Sequence, residues 1–114
     1  MPAASVDEYI ASYPEQTQDV LREVRRRVNV LVPEATEAIS YGIPTLRLGG
    51  KNLVHYAAFT RHLSVYPVVQ EDLAVVPAVE PYLSGSGTAK FPLGSVPYEV
   101  IEDVVRMLRE RREG

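Results

Sequence analysis

The side chains able to do chemistry in this chain gather in two stretches. Lys51, His55, His62, Ser64 and Tyr66 lie within sixteen positions, and Thr88 and Lys90 follow a Ser84-Gly85-Ser86-Gly87 run. There is no cysteine, which excludes disulfides, thiolate metal sites and cysteine nucleophiles, and fits a reducing cytoplasm. No Gly-x-Ser-x-Gly elbow, dinucleotide glycine fingerprint or His-x-x-x-His pair occurs. If the strands around His55 and His62 pair through two-residue turns, His55 stands opposite Tyr66 with Ser64 one rung away. A serine beside an imidazole suggests nucleophilic catalysis, but no acid is placed to orient the ring. Such a cluster suits binding better than bond-making, so no intrinsic catalysis is expected.

Three other constellations invite a chemical reading. His55 and His62 cannot share one metal ion: the partner of His55 lies four residues from His62, about 13 Å along a strand. Glu15, Asp19 and Glu23 recur every four residues and form a row on one helix face, able to hold a hard cation loosely. Arg22, Arg26 and Arg27 stand three or four positions from those acids, so solvated ion pairs fit the spacing better. The Gly85-Ser86-Gly87-Thr88 loop with Lys90 lacks the strand-before, helix-after order of a phosphate loop. It serves as a turn whose backbone N–H groups could still meet an anion.

The elements that position these residues follow from hydrophobic period. Ser5 or Asp7 caps a short helix through Tyr9 and Ile10, stopped by Pro14. A second helix runs from Pro14-Glu15 to Pro33, with Val20, Leu21, Val24, Val28 and Leu31 within about 100° of arc. From Ile39 the pattern turns to period two. Thr45–Leu48 and Lys51–Phe59 flank Gly49-Gly50, a pair suited to a primed turn, and Thr60-Arg61 leads to His62–Tyr66. Gln70–Leu83 begins like a helix, but Pro77 and Pro81 break it. Thr88–Phe91 is a fourth strand, and Pro97 opens a closing helix with Val100, Ile101, Val104, Val105 and Leu108 on one face. The fold class expected is α+β: two helices, a three-stranded antiparallel meander, a broken helix, one more strand and a C-terminal helix packed on the sheet. With no bulge, Leu46, Leu48, Leu53, His55, Ser64 and Tyr66 share one face, and Thr45, Arg47, Val54, Tyr56 and Val65 the other.

At 114 residues, a single domain over 1–114 is expected. Net charge is -3 with both signs interleaved, unlike a nucleic-acid binder. No apolar run approaches the ~20 residues of a membrane span.

Three segments in order, Ser40-Tyr41-Gly42-Ile43-Pro44, Ala58 through Pro67, and Gly87-Thr88-Ala89-Lys90-Phe91-Pro92, resemble the YdhG-like domain family. These are small proteins of mostly unknown function, some described as frataxin-like iron chaperones. The resemblance covers the chain from Val6 onward and implies helices against an antiparallel sheet. Its pattern includes Glu37, Lys51, His62, Ser64, Tyr66, Pro67, Lys90 and Pro97. From it comes the expected ligand site: Tyr41, Lys51, His62, Ser64, Tyr66 and Lys90 lining a polar cleft on the sheet for a small anion. One alternative is an iron chaperone presenting Fe(II) from Glu15, Asp19 and Glu23, although the interleaved arginines depart from the acidic surface this requires. Another is a protein-interaction module, monomer or homodimer, using an exposed apolar patch at Val30, Val75 and Val76.

Overall fold

A computed structural model describes residues 4–113. Helix α1 spans Val6–Ala11, its first turn closed by Ser5, whose Oγ accepts from the Glu8 N–H at 3.1 Å. After Pro14, helix α2 runs Glu15–Leu31 and buries Leu21, Val24 and Val28, the stripe that the 3.6-residue period marks. The sheet follows as β1 (Thr36–Ser40), β2 (Ile43–Leu48), β3 (Lys51–Ala58) and β4 (His62–Tyr66). Two 3-10 segments, Gln70–Ala74 and Pro77–Tyr82, replace a regular helix where the prolines interrupt it. The short β5 (Leu83–Ser84), β6 (Thr88–Pro92) and helix α3 (Tyr98–Glu113) close the chain.

The six strands are ordered β1-β2-β3-β4-β6-β5, and every pairing is antiparallel. Gly49 and Gly50 both have positive φ, +62° and +79°, as a primed hairpin turn requires. A second hairpin of this kind joins β1 to β2 through Tyr41-Gly42, at +57° and +77°. The sequence reading lacked β1. Thr36-Glu37-Ala38-Ile39-Ser40 is an edge strand poor in strand-forming residues, and its turn carries a tyrosine where asparagine or glycine is usual.

A bulge resets the sheet faces. Leu48 pairs with Lys51 and Arg47 with Asn52, but Leu46 pairs with Val54 and Thr45 with His55, leaving Leu53 as the extra residue. Leu46, Leu53 and Val54 are all buried in the core, an arrangement a regular register could not achieve for Leu46 and Val54 together. Fully burying one such side chain stabilises by about 1.5–3 kcal/mol, ample to offset one lost ladder position. The regular face assignment is therefore corrected. Leu46, Val54, Tyr56, Ala58, Val65 and Phe91 face the helices, and Thr45, Arg47 and His55 face outward.

Charged residues on the helix side pair with one another. Arg25 forks onto Glu37 at 2.7 and 2.8 Å and reaches Asp7 at 2.7 Å. Arg27 bridges Glu23 and Glu102 and lies 4.8 Å from the centre of the Tyr98 ring. Arg111 meets the buried Asp72, whose second oxygen accepts from the Val69 N–H at 2.8 Å, tying α3 to the first 3-10 segment. Of the expected apolar patch, Val30 and Val75 are exposed, whereas Val76 packs into the core.

Candidate functional site

The outer face of the sheet carries the polar residues that the helices do not cover. Register places them in rows across the strands. One row runs Thr45, His55, Tyr66; the next runs Ala57, Ser64, Lys90; in the third, His62 stands level with Pro92, beside Phe59. No carboxylate occupies an outward strand position, and Arg47 and Lys90 are the charged residues there.

His55 is the best-defined group on this face. Its ring is stacked on Tyr66 with centroids 5.1 Å apart, and Tyr41 approaches edge-on at 5.9 Å. Its Nδ1 lies 2.8 Å from the Oγ1 of Thr45, a fully buried residue whose hydroxyl also reaches the Ile43 carbonyl at 3.2 Å. With the hydroxyl proton directed at Ile43, Thr45 accepts from Nδ1–H and Nε2 is left as an acceptor. Burial lowers the His55 pKa, which keeps the imidazole neutral at pH 7. Burial raises the Tyr66 phenol, so it remains a donor.

The β1–β2 hairpin tip helps shield this row. Asn52 donates to Ser40 Oγ at 3.3 Å and Tyr41 meets His55, contacts that bring the tip back over the outer face. Tyr41 itself is 86% exposed and holds a left-handed backbone, a conformation that costs a non-glycine residue of order 1 kcal/mol or more.

At the other end, His62 stacks on Phe59 with centroids 4.7 Å apart and planes 16° apart. Burial and the nearby Lys90 charge lower the His62 pKa, in that order. Between the two ring pairs lie Ala57 and Ser64, 2% and 3% exposed. Ser64, Tyr66, His62 and Lys90 make no side-chain hydrogen bond or ion pair with the described residues.

Five of the six expected site residues thus border one surface: Tyr41, His62, Ser64, Tyr66 and Lys90. Lys51 does not. It pairs with Leu48, on the helix side of the bulge, and is exposed at the hairpin tip. His55 and Thr45 belong to the surface but were not among the expected ligand residues. The facing of His55 and Tyr66 was legible from hairpin spacing, whereas Thr45 needed the bulge.

The carboxylate row has a different environment. Glu23 is bound by Arg26 and Arg27, which hold its carboxyl down to about 2, and Asp19 lies 3.6 Å from Arg22. Glu15 is exposed at the start of α2. Among the described residues no group of three His, Cys, Asp or Glu side chains could hold a metal ion. No described helix is long and apolar enough to cross a membrane. A surface depression of about 380 Å³ between Tyr13, Pro14, Thr17, Phe59 and Thr60 adjoins the third row but offers no charge.

Fold and surface together define a class: a six-stranded antiparallel sheet, helices on one face, and a face of aromatic and polar side chains on the other. Two solved structures share this fold. The YdhG protein of Bacillus subtilis, of the DUF1801 family, superposes with a TM-score of 0.78 at 19% identity, covering 90% of this chain and 86% of its own. An uncharacterized conserved protein of Lactobacillus casei superposes at 0.58 with 14% identity, covering 96% and 93%. No family model and no curated protein matches the sequence. The architecture implied by the YdhG resemblance is the one observed.

Proposed function

We propose that this is a cytoplasmic small-ligand-binding or accessory protein that takes up a small anion on the outer face of its sheet, without intrinsic catalysis. What supports the reading is a contrast in partnering. On the helix side Arg25 pairs with Glu37 and Arg27 with Glu23 and Glu102, but Ser64, Tyr66, His62 and Lys90 stand together with their hydrogen-bonding capacity unspent. Ser64 is the sharpest case, 97% buried by its neighbours and lacking a protein partner. The Ser64 hydroxyl itself still reaches solvent, so a ligand oxygen can take the place of the water that meets it. Lys90 supplies attraction, and no outward strand carboxylate opposes it.

Thermal-shift titration with inorganic phosphate, acetate, citrate and anaerobic Fe(II) tests this. A ligand at a hundred times its Kd stabilises the fold by roughly 2.7 kcal/mol, a rise of several degrees in Tm for a domain near this size. The expected result is a shift with an anion that weakens at least tenfold in Kd in Lys90→Ala and in Tyr66→Phe. Anion binding unchanged in both variants would overturn the assignment. So would a shift confined to Fe(II) and lost when Glu15, Asp19 and Glu23 are neutralised together.

A further inference from the structure

We propose that a second site, apart from the outer face of the sheet, takes an uncharged aryl amide. Its ring system lies in the cavity between α2 and the β3–β4 turn, its amide at Thr17 and Thr60, and a small apolar group beyond them. The cavity measures about 380 Å³ and is lined by Tyr13, Pro14, Thr17, Phe59 and Thr60. A second cavity of about 170 Å³ shares Thr17 and Thr60 with it and is completed by Gln16 and by Leu93 and Gly94 of the 3-10 turn after β6. The two therefore adjoin at the threonine pair.

The larger cavity coincides with an exposed aromatic ring. Val30, Tyr41, Phe59 and Val75 are the exposed large apolar or aromatic side chains among the described residues, and of these Phe59 lines this cavity. One face of the Phe59 ring is covered by His62, 4.7 Å between centroids, so the cavity meets the remainder. The walls are held in place by the chain itself. The Tyr13 hydroxyl donates to Tyr9 at 2.9 Å, and Gln18 Nε2 donates to the Tyr13 carbonyl at 2.7 Å, fixing the corner between α1 and α2. Opposite, the Phe59 N–H donates to the His62 carbonyl at 2.8 Å and the Leu93 N–H to the Arg61 carbonyl at 3.0 Å. A preformed site spares its ligand the cost of ordering the chain around it.

The lining selects the ligand. No carboxylate, ammonium, guanidinium or imidazole borders either cavity, so a charged ligand would give up its water there without a counter-charge. Two other cavities differ in this respect, one bordered by Arg106, Arg109 and Glu110, the other by Asp7, Arg25 and Glu37. Polar capacity at the junction is unspent: Thr17, Thr60 and Gln16 make no side-chain hydrogen bond with the described residues. Hydroxyls and a carboxamide both donate and accept, which matches the N–H and C=O of an amide. A cavity of about 150 Å³ holds one benzene ring, so the larger cavity has room for two fused rings and the smaller for one compact group.

N-methylnaphthamide, N-methylbenzamide, naphthoate and acetate, followed by amide shifts in ¹H–¹⁵N spectra, test the assignment. N-methylnaphthamide is expected to move Thr17, Thr60 and Leu93 most, and to bind about tenfold or more tighter than naphthoate and severalfold tighter than N-methylbenzamide. Phe59→Ala, which removes the aromatic wall, should weaken it about tenfold. Thr17→Val keeps the shape and removes one hydroxyl; it should weaken binding severalfold, and serves if Phe59→Ala does not fold. Naphthoate or acetate moving Thr17 and Thr60 as strongly as the naphthamide would overturn the uncharged assignment, whatever happens at the outer face. Naphthamide affinity unchanged in both variants, or no binding at all, would remove the site. Concentration-dependent broadening at Phe59 and Thr60 without any probe would instead give the groove to a second copy of the chain and refute the small-molecule reading.

Discussion

Deleting one oxygen from a tyrosine should have three different consequences here, depending only on what that oxygen touches. Tyr56 is 1% exposed, and its hydroxyl has no hydrogen-bond partner. Burial accordingly raises its pKa far above the ordinary phenol value. An unsatisfied buried hydroxyl costs about 1–3 kcal/mol, so Tyr56→Phe removes a penalty while retaining the ring and its packing. Allowing for the small void left behind, the variant should gain about 1 kcal/mol, or some 4 °C in Tm. Tyr9 presents the opposite case. Its hydroxyl accepts from the Ala58 N–H at 3.0 Å and from Tyr13 at 2.9 Å, so Tyr9→Phe leaves a buried backbone donor unpaired. A loss of about 1–3 kcal/mol should follow. Tyr66→Phe, at a half-buried phenol with no protein partner, should change stability by less than about 0.5 kcal/mol and be felt only in ligand binding. Urea unfolding of the three variants beside the parent, fitted with a common slope, measures all of this. Tyr56→Phe destabilised by more than about 1 kcal/mol would refute the reasoning, because it would mean the hydroxyl is satisfied, for instance by a buried water.

Other consequences follow from the same contacts. Both imidazoles sit below their ordinary pKa of 6.5 in the folded chain, His55 through burial and His62 through burial and then Lys90. The unfolded chain takes up these protons first as pH falls, so their contribution is full above 6.5 and declines below it. Tm should therefore drop on acidification from pH 7.5 to 5.5, and less steeply in His55→Gln; an identical slope in that variant would assign the effect elsewhere. Asp72→Ala breaks the contacts to Arg111 and to the Val69 N–H and should cost about 2–3 kcal/mol, with amide exchange accelerated first over residues 69–76. Gly50→Ala places a side chain at φ +79° and should cost about 1 kcal/mol by urea unfolding, although a Cβ there meets no neighbour.

The elements were legible in the sequence where a local rule dominates. The apolar stripe of α2, the prolines that break residues 70–83, and the Gly49-Gly50 turn all depend on interactions within a few residues. Hairpin spacing alone set His55 against Tyr66, because a two-residue connection at Thr60-Arg61 admits one register. Strand β1 was hidden because Thr36–Ser40 owes its conformation to pairing with β2 and to the Arg25–Glu37 fork from α2 rather than to strand propensity. The side of the sheet the helices cover, and the bulge at Leu53, were decided by competition among core residues far apart in the chain. Burying Leu46, Leu53 and Val54 together outweighs regular pairing, and that choice turns Thr45 outward to His55 and Lys51 away from the candidate site. Residue types and hairpin lengths therefore determined which groups were available for a site. Long-range packing decided which of them face the same side, because inserting one residue in a strand reverses every side chain beyond it.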